Sequence, residues 1–350
     1  MKKKQVDELY QWIVSPAAGV DALKSLDSSQ ITFHLESQSD NTEYLSKFFP
    51  NRARIIWSNT DDTLYFIHWL LAVNEPISIA KINRNQKLYC VEIIYLKNNL
   101  EFIADGSQLN INLNQFQHFL GHNGFDVFSY TKPLALLNSM GVLVMDMDST
   151  AIEIECIDEI AKRAGVGEAV AVVTEKTMMG ELDFEQSLRQ RVAALKGADA
   201  SIITDLCSNL PLMSGLESMI KELQSYGWKI VLASGGFRPF VDHLKTQLGL
   251  TVSYANHLVI ENERLTGELS GDIVDANFKA NVLNFVADKY HIPFEQRVAI
   301  GDGANDIPMI NMAYFGIAFH GKEKVKNAAD ACINKLDLRV LPYYLQKTNG

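Results

Sequence analysis

The chain lacks any window of about 18 uncharged apolar residues, the length a helix needs to cross a bilayer, so no membrane-embedded segment is expected. It is also poor in cysteine, with four in 350 residues, at 90, 156, 207 and 332. Their separation rules out the paired spacings of zinc sites. They are also too few to staple a chain of this length, so a reducing cytoplasm is the expected setting. Positive charge is in the minority, with 32 Lys and Arg against 42 Asp and Glu and a net charge of -10. That balance repels nucleic acid and anionic membranes. The opening Met1-Lys2-Lys3-Lys4 has the charge of a signal-peptide head, yet Gln5-Val6-Asp7-Glu8-Leu9-Tyr10 follows where an apolar stretch is needed, so secretion is not expected. The eight histidines form no spaced metal pair and carry no chemical assignment. What remains is a chain 47% hydrophobic and 21% charged, a balance that suits two or three folded cores over disorder.

A boundary falls in Tyr130-Thr131-Lys132-Pro133. Residues 1–130 mix strand-like runs such as Lys87–Leu96 with amphipathic pieces, and Leu109, Ile111 and Leu113 alternate with asparagines at period two. This predicts a small α+β domain. Residues 141–350 repeat another pattern, a short apolar run followed by a polar or glycine-rich turn and a helical stretch. The runs are Val142–Met145, Ile230–Ala233, Val298–Ile300 and Ile317–Phe319. Unalternated runs of this kind suit the buried strands of a doubly wound, Rossmann-like parallel sheet, an α/β core. Between the first two runs, at about 153–225, Ile157, Ile160, Ala161 and Ala164 recur at helical spacing. This predicts a helical cap inserted after the first core strand. Thr150-Ala151-Ile152-Glu153 fits a capping box and places a helix start shortly after the aspartates.

Ligands of such folds bind beyond the carboxyl ends of the strands, so the residues after each run are the candidates. Asp146 and Asp148 leave the first run one residue apart, where like charges repel unless a cation joins them. Asp302 and Asp306 follow another run, and a set of hard oxygen donors suits Mg²⁺. With its charge so offset, Asp146 can attack phosphorus to give an aspartyl-phosphate that water hydrolyses. Asp148 is placed to protonate the leaving alkoxide and later to accept a proton from water. Ser234-Gly235-Gly236 offers a hydroxyl and unhindered N–H groups to phosphate oxygens. Lys279 opens the amphipathic stretch that continues through Phe285 and Val286, lies off its apolar face, and can neutralise phosphate charge.

The order Asp146-Met147-Asp148-Ser149-Thr150, Ser234-Gly235-Gly236, Lys279 and Gly301-Asp302-Gly303-Ala304-Asn305-Asp306 resembles the four motifs of the haloacid dehalogenase superfamily. Glu155–Ala161, Phe184–Val192 and Ser234–Phe237 are similar to its phosphoserine phosphatase family, over about 141–340. The resemblance implies that Asp146 is the nucleophile and Asp148 the acid/base. It places magnesium on the Asp146 and Asp302 carboxylates and the Asp148 carbonyl, with Asp306 supporting that shell. It gives phosphate to Ser234, Gly235, Lys279 and Asn305. Glu155 and Arg191 match the pair that holds the ammonium and carboxylate of O-phospho-L-serine, and one anion with one bidentate cation is a sound way to recognise a zwitterion. The activity implied is the last step of serine biosynthesis, on a small-molecule substrate.

Taken singly, each residue has a plainer reading. Asp146 and Asp148 suit a strand-end turn, and Asp306 suits a helix start. Arg191 could pair in solvent with Glu185 or Ser187, and Lys279 could be a surface lysine. Phe184, Met178, Met179 and Cys156 could be packing residues. Other functional readings are a phosphotransferase, a phosphatase for another small phosphomonoester, or a noncatalytic binder on the same scaffold. Acceptor competition and turnover separate these. For residues 1–130 a regulatory or dimer-forming role, giving a homodimer, is the reading carried forward.

Overall fold

The computed structural model describes residues 7, 9–11, 13, 23–26, 51–70, 77–82, 87–95, 99–104, 107–112 and 124–348. Met1–Val6, Leu96 and Leu113, used in the sequence reading, lie outside these. The chain forms two compact units, one of residues 1–138 with 331–350 and one of residues 139–330.

In the first unit, β1 (Leu23–Leu26), β2 (Asn51–Trp57), β3 (Ile77–Lys81), β4 (Tyr89–Tyr95) and β7 (Asp126–Tyr130) form an antiparallel sheet ordered β1-β3-β4-β2-β7. β5 (Asn99–Ala104) and β6 (Ser107–Asn112) pair separately, and helix α1 (Thr60–Leu70) follows β2. Trp57 anchors the core of this α+β unit, its ring 5.0 Å from Phe66 and its Nε1 donating to Thr63 Oγ1 at 2.8 Å. The register sets Arg54 across from Glu92. Arg54 Nε donates to Glu92 at 2.9 Å, and its Nη1 donates to the carbonyls of Tyr343 at 2.6 Å and Leu345 at 2.8 Å. Tyr130 OH donates to the same Glu92 oxygen. Asp126 accepts from the backbone N–H groups of Asn334, Lys335 and Leu336. These bonds hold residues 331–350 in the first unit, whereas the apolar pattern alone ran the second region to 350.

Within the second unit the strands β8 (Val142–Met145), β9 (Lys229–Phe237), β10 (Val252–Glu261), β11 (Arg264–Ser270), β12 (Arg297–Gly301) and β13 (Phe315–Phe319) run in the order β11-β10-β9-β8-β12-β13. All neighbours are parallel except β10 and β11. β8 is buried throughout, which is why its run is continuously apolar rather than alternating. Val142, Val144, Val231 and Ala299 pack with Val282, Leu283 and Val286 of helix α8 (Ala276–Lys289) and with Met309. The chain winds from β8 to β9 and β10 on one side, then returns to β12 and β13 on the other. The switch in winding therefore lies at the carboxyl ends of β8 and β12, where such sheets open a crevice.

After β8 come helices α2 (Cys156–Arg163), α3 (Gly167–Met178), α4 (Phe184–Ala194), α5 (Ser201–Ser208) and α6 (Leu216–Ser225). In α2, Cys156, Ile157, Ile160 and Ala161 make the buried face, with acids in the first turn and bases in the last, as the helix dipole favours. In α4, Asp183 and Gln186 form a capping box. The insertion is helical, but α6 packs on β9 and belongs with the sheet, as does α7 (Arg238–Leu248), which follows β9.

Two expectations are corrected and one omission is filled. Thr150–Glu153 starts no helix, because Ser149 takes a left-handed φ of 58° and the N–H groups of Thr150, Ala151 and Ile152 all turn back to Met147 O. The helix begins at Cys156 instead. β10 and β11 went unread because their polar residues, Asn256 and His257 among them, interrupt any apolar run. Phe285 is 60% exposed while Lys279 is only 1% exposed, so the buried face of α8 is the one that carries the lysine.

Candidate active site

The apolar β8 delivers Asp146 to the edge of the sheet, where its N–H still donates to Ile300 O of β12 at 3.1 Å. β12 in turn delivers Asp302. Asp146, Asp302 and Asp306 each place a carboxylate oxygen within 4.8 Å of the others. Lys279 lies among them, with Nζ 2.7 Å from Asp146 Oδ1 and 3.0 Å from Asp306 Oδ1. Burial works against the lysine's charge, but the two aspartates outweigh it and raise its pKa. One buried cation does not neutralise this set. Burial and then Asp146 push Asp302 up to about 6, and the same two causes raise Asp306. Three hard oxygen donors, more acid than the local cation balances, are what a divalent metal requires, so the residues present fit one.

Asp148 is held separately. Its Oδ1 accepts from Cys156 N at the start of α2 at 2.8 Å, and its Oδ2 lies 3.4 Å from Ser234 Oγ. Burial, then Glu155 and Asp146, push it up to about 7. A carboxyl group tuned to that range can both give and take a proton near neutral pH. Thr150 Oγ1 donates to Asp302 Oδ1 at 2.9 Å, and Ser149 Oγ donates to Glu155 Oε1 at 2.9 Å. Asp306 also accepts from Gly303 N at 3.0 Å and stands just before the helix α9 (Ile307–Met312).

These groups surround an open cavity of about 110 Å³, lined by Asp146, Asp148, Asp302, Asn305, Gly235, Gly236 and Phe237 from the sheet and by Glu155, Ile157, Phe184, Leu188 and Arg191 from the cap. Ser234, Lys279 and Asp306 are not on its wall, but each bonds to a residue that is or to a partner of one. Phe184 closes on Gly235 so tightly that a Cβ there would lie 2.9 Å from its ring. A side chain at this position would have to displace the Phe184 ring. Glu155 is raised by burial, and Arg191 is lowered by it. Arg191 Nε is buried with no hydrogen-bond partner, and the exposed partner of Glu185 is Arg189 instead. Arg191 lines the cavity, and its buried Nε–H is a donor that the described protein atoms leave unsatisfied, which calls for an explanation.

The structure thus brings every sequence-selected site residue to one cavity or its immediate support. The sequence reading missed the supporting contacts of Ser149, Thr150 and Cys156. None of the three carried a signal in the sequence, because each acts through a partner that only the fold brings near. Met179 is 66% exposed, so the packing role considered for it is not seen; the side chain of Met178 lies outside the described residues.

The model of the haloacid dehalogenase-like hydrolases matches residues 140–313. The phosphoserine phosphatase of Haemophilus influenzae is 46% identical over 278 residues, 70% of this chain and 88% of that protein. A crystal structure described as a probable phosphoserine phosphatase from Vibrio cholerae, unliganded, superposes with a TM-score of 0.68 at 35% identity, covering 84% of this chain and 86% of the other. A substrate-bound phosphoserine phosphatase structure superposes at 0.56 and 39% identity, covering 59% of this chain and 99% of the other. No described helix is long and apolar enough to cross a membrane. By the motif order, the fold and these likenesses together, the chain belongs to the phosphoserine phosphatase family of the haloacid dehalogenase-like hydrolases.

Proposed function

We propose that the chain hydrolyses O-phospho-L-serine to L-serine and phosphate, with Asp146 as nucleophile, Asp148 as acid/base, and Glu155 and Arg191 as the clamp on the amino-acid end. The observation that carries this reading is Arg191, which lines the same cavity as Asp146 and Glu155 and keeps a buried Nε–H without a partner among the described residues. Phosphoryl chemistry needs only the sheet residues. A carboxylate-bearing substrate accounts for the arginine.

An Asp146 oxygen attacks phosphorus and the bond from phosphorus to the serine oxygen breaks. Asp148 in its protonated form gives its proton to that oxygen and serine leaves. Water then attacks the aspartyl-phosphate while Asp148 takes its proton, so phosphate departs and both carboxylates return to their starting states. Lys279 holds Asp146 in place and offsets the charge of the incoming phosphate, and Ser234, Gly235 and Asn305 receive its oxygens. The Asp146 and Asp302 carboxylates and the Asp148 carbonyl would hold magnesium, with Asp306 behind them; bound there, the ion supplies positive charge that lets two anions approach. Carboxylate donors without thiolate or imidazole favour Mg²⁺ over softer metals.

Phosphate release measured across phosphorylated amino acids and an aryl phosphate, with and without Mg²⁺, tests the reading. Phosphoserine should be hydrolysed at least about 100-fold more efficiently than the aryl ester, the discrimination two charge-assisted contacts can give. Equal efficiency on both would overturn the substrate assignment, and phosphate passing to an added alcohol faster than to water would favour a phosphotransferase.

A further inference from the structure

The register of β9 against β10 breaks at the phosphate loop. Tyr254 pairs with Ala233, but Asn256 pairs with Phe237, so β10 advances two residues while β9 advances four. On the other side of β9 the pairing with β8 stops at Leu232. The peptide groups of Ser234, Gly235 and Gly236 therefore fall outside both ladders, and buried backbone groups outside a ladder need other partners. Gly236 N donates to Ser234 Oγ at 2.8 Å. The Gly235 carbonyl accepts from the side chain of Asn256, Nδ2 to O, at 2.8 Å.

The same amide has a second partner. Asn256 Oδ1 accepts from Val274 N, also at 2.8 Å, and the side chain is only 1% exposed. Val274 precedes Asp275, the residue that caps α8 through Phe278 N, and Lys279 lies one turn further on. One buried amide thus joins the loop of Ser234–Gly236 to the start of the helix that presents the lysine. Its two ends are fixed by their partners, a carbonyl on one side and an N–H on the other. No other side chain of that length offers one donor and one acceptor in a plane.

We propose that Asn256 is a positioning residue for phosphate binding: its amide sets the Ser234–Gly236 loop and the start of α8 at a fixed spacing, so that both meet the same phosphate. With the Gly235 carbonyl held by Asn256 and Gly236 N held by Ser234 Oγ, the loop is fixed in one conformation for the ligand. This rests on the reading of that loop and Lys279 as the phosphate cradle. Asn256 touches no substrate itself. Its effect falls on the phosphate end, which every phosphomonoester shares, and not on the amino-acid end held by Glu155 and Arg191.

The test uses the full chain with Mg²⁺ and two variants, Asn256→Ala and Asn256→Asp. The second keeps the shape and the acceptor for Val274 N but loses the donor to Gly235 O. KM and kcat are measured for phosphoserine and for an aryl phosphate, together with Ki for inorganic phosphate and the unfolding temperature. KM and Ki do not depend on what fraction of the sample is folded. Both KM values and the phosphate Ki should rise together by about tenfold, the loss of one good buried hydrogen bond, with Asp no better than Ala. Unchanged KM and Ki beside a lowered unfolding temperature would make Asn256 a folding residue only and overturn the proposal, as would failure of both variants to fold at all. A wild-type chain that releases no phosphate from either ester would overturn the function itself, which is a separate result.

Discussion

Two buried cations in this protein face opposite situations. Arg54, in the first unit, has one carboxylate and two backbone carbonyls around it, and the carboxylate is completed by Tyr130. Lys279, in the second, is shared by Asp146 and Asp306 with Asp302 close by. The first cluster is closed, its donors and acceptors matched. The second has more acid than it can balance and so holds open a place for charge from outside. Burial by itself says nothing about function; the imbalance does. A closed buried ion pair contributes to uniqueness of fold and is costly only when one partner is removed, while an unbalanced one sits where a ligand completes it.

The contrast predicts the largest effects for removal of each cation. Lys279→Met should lower kcat by about a thousandfold, as loss of one electrostatic contact to a developing charge does, with far less effect on unfolding when metal is present. Arg54→Met should lower unfolding free energy by about 3 kcal/mol, because Glu92 is left buried and unpaired, yet the surviving folded protein should keep its KM. Steady-state kinetics and denaturant unfolding on both variants check this, and a kinetic defect confined to Arg54→Met would break the comparison.

A smaller effect separates Arg191 from Arg54. Arg191 has a buried N–H without a partner, so Arg191→Ala should leave stability nearly untouched. It should raise the KM for phosphoserine by about 10- to 100-fold, as removal of a charged hydrogen bond does, and leave an aryl phosphate unaffected. Equal losses on both substrates would remove Arg191 from the clamp.

The smallest effect is a difference in pH slope. Asp302 and Asp148 are raised, to about 6 and about 7. The folded state therefore keeps protons that the unfolded chain gives up, and their contribution is complete in acid and lost as pH rises toward 7. Glu92 is shifted the other way, down, because Arg54 and Tyr130 outweigh the cost of its burial. Its contribution is present at neutral pH and lost as pH falls through the ordinary carboxylate range. In chelator, hydrogen exchange of β8 amides should quicken relative to the intrinsic rate between pH 5 and 7, while β2 amides should not; added Mg²⁺ should flatten the β8 slope. Parallel slopes in both strands would erase the contrast.

Much of this was legible in the sequence, for a physical reason. Val142–Met145, Ile230–Ala233, Val298–Ile300 and Ile317–Phe319 read as strands because a strand covered on both faces is apolar at every position. The acids at their ends stood out because carboxylates beyond apolar runs have no packing role. What was hidden depended on three-dimensional partners. Lys279 looked like a surface lysine because its two aspartates lie 133 and 27 positions away in the chain, at 146 and 306. Thr150 looked like a helix cap because its hydroxyl goes to Asp302, a residue on another strand. Asn256 was passed over because a ladder break cannot be seen in one strand alone.

The pairing of Arg54 with the carbonyls of Tyr343 and Leu345 also fixes an order of events during synthesis. The sheet residues of the second unit, through Phe319, leave the ribosome before those carbonyls do, so that unit has its strands available while Arg54 and Glu92 are still waiting. Asp126 waits likewise for the N–H groups of Asn334–Leu336. The unit begun first is thus completed last, and a chain that stops between residues 334 and 342 would have β8 to β13 in full while the acceptors for Arg54 are still missing.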